Sequence, residues 1–135
     1  MKRNIAILLL SLLLVCLASN ALADTITPFA STLISSTSVS LSASGTTLTA
    51  TANISAKTVC DTLGFSYIRI QVQQGTQWVT VRSVTSQYKT SALTHSYSLS
   101  YTGTSGNVYR ATAGFYAQDG DITETRSGTS SSSSI

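Results

Sequence analysis

Charged side chains are scarce in this chain. Eight basic and five acidic residues make up 10 % of 135 positions, against roughly 25 % in an ordinary soluble domain. There is one histidine, one proline and one methionine, with two cysteines. No phosphate-cradling glycine loop or dinucleotide fingerprint occurs, so nucleotide chemistry has no scaffold here. Past the first twenty residues there is also no long apolar run, and no segment carries a helical period.

The first segment is different. Lys2 and Arg3 form a positive start, and Ile5 to Ala18 is apolar except for Ser11. Ala21-Leu22-Ala23 then places small residues at the −3 and −1 positions of a cleavage site, the pattern of a secretory signal peptide. A membrane anchor needs about 20 apolar residues, and Ser19-Asn20 interrupts this run too early. Cys16 as a lipoprotein site is the weaker reading, because Val15 precedes it where a small residue is needed. The expected organisation is a signal peptide over 1–23, a leader over 24–37 that holds Pro28, one domain over 38–127 and a Ser-rich disordered tail over 128–135.

Cleavage after Ala23 would change the balance of the chain. Lys2 and Arg3 leave with the signal, six basic residues face all five acids, and net charge falls from +3 to about +1. That argues against nucleic acid or an anionic membrane as an electrostatic partner, and the membrane is met only through the signal peptide before cleavage. One cysteine remains, Cys60, so packing rather than an internal disulfide must hold the domain. Cys60 is then a partly buried spectator, a free thiol or an intermolecular link. One Cys and one His cannot supply four zinc ligands.

Serine and threonine dominate the rest, with 22 Ser and 21 Thr from residue 24 onward. Such a composition suits either a disordered stalk or a sheet whose wet positions are hydroxyls, and periodicity decides between them. In Thr47–Ser55, Leu48, Ala50, Ala52 and Ile54 alternate with Thr47, Thr49, Thr51 and Asn53, which separates the two sets only in a strand. Ile68, Ile70 and Val72 alternate with Arg69, Gln71 and Gln73. A Gly-containing gap at Gln74-Gly75-Thr76 leads into Trp78–Arg82 as a hairpin. Ser83 to Thr94 reads as a long polar connection with room for a short strand. Tyr97, Leu99 and Tyr101 alternate again, as do Tyr109, Ala111, Ala113, Phe115 and Ala117. Asp119-Gly120 marks a tight turn into Ile122–Arg126, and Val39 with Leu41 marks a first strand. The chain is expected to be all-β: a single antiparallel β-sandwich of immunoglobulin or fibronectin type III-like kind with about seven strands, in which inward alanines let the sheets approach opposite Trp78, Tyr97 and Phe115.

The run Ile68 to Val84, with its alternating apolars, Gly turn, Trp78 and Val-x-Val, is followed by Gly106-Asn107-Val108-Tyr109-Arg110, a Gly-containing hairpin, Glu124 and a Ser/Thr-rich end. Over residues 46–130 this arrangement resembles a family of small secreted proteins of Gram-positive bacteria known only as domain of unknown function 6147. It departs from that pattern at Val84, where an aromatic is usual. The resemblance implies a signal peptide plus one β-sandwich and brings no activity with it.

Catalytic chemistry has little to work with. His95 is the single base of suitable pKa, and a Ser-His or Cys60–His95 pair competes with a plain surface histidine. The carboxylates are Asp24, Asp61, Asp119, Asp121 and Glu124. The last three cluster at a hairpin, as solvated turn residues or as a weak calcium site short of the six to eight oxygens that calcium prefers. Asn53-Ile54-Ser55 is formally a glycosylation sequon, but it lies mid-strand. No catalytic residue, cofactor or firm metal site is expected, and the chain is read as no enzyme. Tyr67, Tyr88 and Tyr116 fall outward or in loops and are the candidate contact residues. The expected role is a secreted, extracellular binding or envelope-associated module for a protein or glycan. The alternative is a self-assembling or membrane-acting β-protein, such as a fibre subunit or toxin-like chain.

Overall fold

The computed structural model describes residues 31–135. The expected signal peptide, its cleavage residues Ala21 and Ala23, Asp24 and Pro28 lie outside the described residues. Among the described residues there is no helix. Six antiparallel strands run in chain order: β1 (Ile34–Ser44), β2 (Thr47–Gln74), β3 (Gln77–Thr102), β4 (Val108–Asp119), β5 (Ile122–Thr129) and β6 (Ser133–Ser134). They form one sheet in the order β1-β2-β4-β5, with β3 on the other side of β2 and β6 beside β4.

Two strands, of 28 and 26 residues, replace the several short ones expected. Each is far longer than the usual 3–10 residues because it bends. Thr47–Ala56 of β2 lies between β1 and Thr94–Thr102 of β3. Between Ser55 and Cys60 the register slips, so that Ser55 faces Thr94 while Cys60 faces Ala92. The extra residues turn a corner, as bulges do. Beyond it, Thr62–Val72 is bordered by β4 instead of β1. The sheet is thereby curled into a half-barrel whose two halves face each other.

The turns follow their glycines. Gly75-Thr76 and Gly120-Asp121 are two-residue loops with φ of 62° and 54° at the glycine. Glycine at the first central position alone in the left-handed region is the II′ pattern, which matches strand twist.

The core fills the concave side. Leu48, Ala50, Ala52 and Ile54 from one half meet Phe65, Ile68, Ile70, Tyr109, Ala111, Ala113 and Phe115 from the other, all buried. A second irregularity between Phe65 and Tyr67 shifts the alternation by one, so inward odd positions become inward even ones. Phe65 bridges the halves, with ring centroids 5.7 Å from Phe115 and 5.2 Å from His95. A Cβ added at Gly128 of β5 would stand 3.2 Å from both Val39 of β1 and Phe115.

Four expectations are corrected. The polar stretch Ser83–Thr94 is not a connection holding a short strand at most: all of it is the middle of β3. Its alternation is hidden because this part of the strand pairs on one side only and carries left-handed residues at Ser86 (φ 56°) and Ser91 (φ 49°). The leader does not extend to residue 37: β1 starts at Ile34, and Leu33 and Ile34 are buried. The tail is not disordered, since Ser133 and Ser134 pair with Tyr109 and Val108, and Ile135 packs against the core. Finally, Trp78 does not face the alanines. It lies opposite Gln73, an outer position, and is only half-buried, while Val79 stands opposite inward Val72.

Candidate functional site

The outer faces of the two halves differ in chemistry. Over the first half, five alternate positions on each of β1, β2 and β3 carry Ser, Thr or Asn. Their side chains are tied to one another and to the backbone: Thr51 and Ser98 hydroxyls lie 3.0 Å apart, and Asn53 donates to Ser38 at 3.2 Å.

Over the second half the outer positions of β2, β3 and β4 carry rings, guanidinium groups and amides. Arg110 stacks on Trp78, its Cζ 4.3 Å from the ring centroid, and donates from Nε to the Gln71 side chain at 2.9 Å. Arg69 stacks on Tyr67 at 4.2 Å. The register makes Arg69 and Arg110 diagonal neighbours across the β2–β4 pair, since Arg69 faces Thr112 and Gln71 faces Arg110. Each cation is pre-oriented by a ring; Arg69 is exposed and Arg110 half-buried.

Tyr67, Tyr88 and Tyr116 all lie on this face. Gly64 sits between Tyr88 on β3 and Tyr116 on β4, and the two rings meet above it edge-on at 5.4 Å. Gly114 leaves room for Tyr67, whose ring would lie 2.5 Å from an added Cβ. Tyr116 donates from its hydroxyl to Gln118 at 3.0 Å. Trp78, Arg69, Arg110 and Gln71 extend the stripe toward the β2–β3 turn. Their signal in the sequence is the polar phase of Arg69-x-Gln71-x-Gln73; the size of Trp78 points inward instead.

The carboxylates gather elsewhere. Asp61 accepts from the Gly120 backbone at 2.9 Å and so braces the β4–β5 turn. Asp119 and Asp121 lie at that turn, but Glu124 does not join them as a calcium site. It reaches across to the start of β1, accepting from Ser31 Oγ and Leu33 N at 2.7 Å, Ile34 N at 3.0 Å and Arg126 at 3.1 Å. Arg126 also donates to the Ile34 carbonyl at 3.2 Å. Burial pushes the Glu124 carboxyl up, but these hydrogen bonds and the Arg126 charge outweigh it and hold its pKa at about 2. Among the described residues no three His, Cys, Asp or Glu side chains are grouped to hold a metal.

His95 is half-buried rather than fully at the surface. It stands opposite inward Ile54, and its Nδ1 is buried without a hydrogen-bond partner among the described residues. Burial, helped by Lys89, pulls its pKa down and favours the neutral ring. Cys60 is fully buried, unpaired, and its pKa is raised, chiefly by burial and then by Asp119, Asp61 and Glu124. A thiol so placed is neither an exposed nucleophile nor available to another chain. Tyr109 is buried, its hydroxyl accepting from Thr104 N at 2.8 Å. Two surface concavities, of about 570 and 480 Å³, lie along Tyr88–Thr94 and beside the Glu124 contact, away from the Trp78–Arg110 stack. Compared with protein-family models, curated proteins and solved structures, the chain matches none of them.

Proposed function

We propose that this protein is a secreted, non-catalytic β-sandwich module of immunoglobulin or fibronectin type III-like kind, and that it binds an acidic polysaccharide along the outer face of β2, β3 and β4. The proposal includes export by the N-terminal segment and kinship with the small secreted family named above. One observation carries it: two arginines, each stacked on an aromatic ring, are neighbours on a face without a carboxylate among the described residues. Two cations without a carboxylate partner leave this face positively charged, and an anionic polymer lying along it offsets that charge. A guanidinium takes a carboxylate through two parallel hydrogen bonds, and the apolar face of a sugar ring lies on an aromatic one. Gln71, Gln73 and Gln118 add donors and acceptors suited to sugar hydroxyls. The separation of charge supports the same reading, because Asp61, Asp119, Asp121 and Glu124 lie at the β4–β5 end.

Affinity electrophoresis through polygalacturonate against neutral dextran tests this. Retardation is expected with the acidic polymer alone, falling with added salt and lost in Arg69→Ala/Arg110→Ala. Trp78→Ala should weaken it about tenfold, since a lost ring contact is worth roughly 1–1.5 kcal/mol. Equal retardation by both polymers, or by neither, would overturn the proposal.

A further inference from the structure

The free edge of β3 is built in two contrasting parts. The strand pairs with β2 and with no other strand among the described residues, and among these one side of its backbone is open along its whole length. From Gln77 to Ser91 that edge is guarded. A register slip at Val81 lets Ile70 face Arg82 while Gln71 faces Thr80, Ser86 and Ser91 turn left-handed, and Arg82 and Lys89 add charge. Bulges, kinks and cations are how sheet proteins prevent edge-to-edge pairing. From Thr94 to Thr102 none of these devices is present, and the register with β2 runs without a slip.

This unguarded part is also close to a palindrome: Ser96-Tyr97-Ser98-Leu99-Ser100-Tyr101-Thr102. An antiparallel pair of identical strands related by a two-fold axis must be self-complementary. Centred on Leu99, such a pair sets Tyr97 opposite the second copy's Tyr101, Ser98 opposite its Ser100, and Ser96 opposite its Thr102. Leu99 meets itself. No charged residue comes opposite another, so the pairing carries no like-charge repulsion. Tyr97 and Tyr101 are only half-buried, and cross-strand aromatic pairs would cover them. The hydroxyl-bearing outer face would continue across the axis.

We infer that the protein forms a two-fold homodimer by antiparallel pairing of Ser96–Thr102 with the same segment of a second copy. So short an edge buries less than the ~1,200 Å² of a standard interface, so dimerisation depends on concentration. Pairing would also place two copies of the candidate binding face on one particle, which raises avidity for a polymer. The dimer itself stands independently of any ligand.

Sedimentation of the protein purified from cells expressing the full chain tests it. A monomer–dimer equilibrium is expected. Ser98→Lys/Ser100→Lys sets lysine against lysine twice and should weaken association about tenfold or more. Ser98→Lys/Ser100→Glu sets lysine against glutamate twice and should restore it. In the unaltered protein, amides within 96–102 should exchange more slowly as concentration rises, a readout that needs no variant. A monomer at all concentrations, a dimer indifferent to the double lysine, or equal behaviour of the two double variants would each overturn the inference.

Discussion

The two halves of β2 share an inner face and differ on the outer one. Before the corner its inward residues are Leu48, Ala50, Ala52 and Ile54; after it they are Leu63, Phe65, Ile68, Ile70 and Val72, and all are buried. Core packing therefore makes the same demand on both. Outside, one half displays short hydroxyls that bond to their neighbours, while the other displays stacked arginines, tyrosines and a tryptophan. Ordering an arginine side chain costs up to about 2 kcal/mol of rotamer entropy, and the first half shows that this sheet forms without it. The second outer face is thus a departure that folding did not require. Such departures are where binding is sought.

The largest expected effect strikes what the halves share. Phe65 is fully buried and touches rings on both sides of the curl. Phe65→Ala should cost about 3–5 kcal/mol in chemical denaturation, because the cavity opens where the halves meet. A loss below about 1 kcal/mol would mean that the halves stand without each other.

The next effect acts on the seam. Glu124 on β5 and Arg126 beside it hold the start of β1, joining strands from opposite halves. The Glu124 pKa falls from 4.5 to about 2 on folding, so its ionised form favours the native state. That contribution is complete above pH 4.5 and is lost as pH drops toward 2, an upper bound of about 3 kcal/mol. Glu124→Gln should lose most of it at pH 7 and flatten the acid limb of the stability profile. An unchanged limb would show that the seam is held by apolar contacts alone.

Part of this comparison could be read directly from residues. Strict alternation in Thr47–Ser55, Ile68–Gln73 and Tyr109–Ala117 revealed the inner face of each strand, and the same phase turned Tyr67 and Tyr116 outward. What escaped depends on partners distant in the chain. The corner at residues 56–60 exists because β2 exchanges β1 for β4 there, which no local pattern encodes. Glu124 looked like a turn residue because its partners lie some ninety positions earlier. The serine run before Ile135 has no alternation, yet hydrogen bonds from Gly106 and to Asn107 fix Ile135 in place. The bulk of Trp78 suggests the interior, whereas its pairing with outward Gln73 sets it outside.

The smallest effect is the sharpest test of the contrast. Thr49 lies on the outer face of the first half, opposite Ser42 and Ser100. Thr49→Ala removes a hydroxyl that water readily replaces, so stability should move by no more than about 0.5 kcal/mol. Retardation by polygalacturonate should not change at all. Trp78→Ala, equally far from the core, should weaken retardation while altering stability by about 1 kcal/mol or less. If Thr49→Ala instead lowers the affinity as far as Trp78→Ala does, the hydroxyl face shares in recognition. The chemical difference between the halves would then no longer mark where a ligand sits.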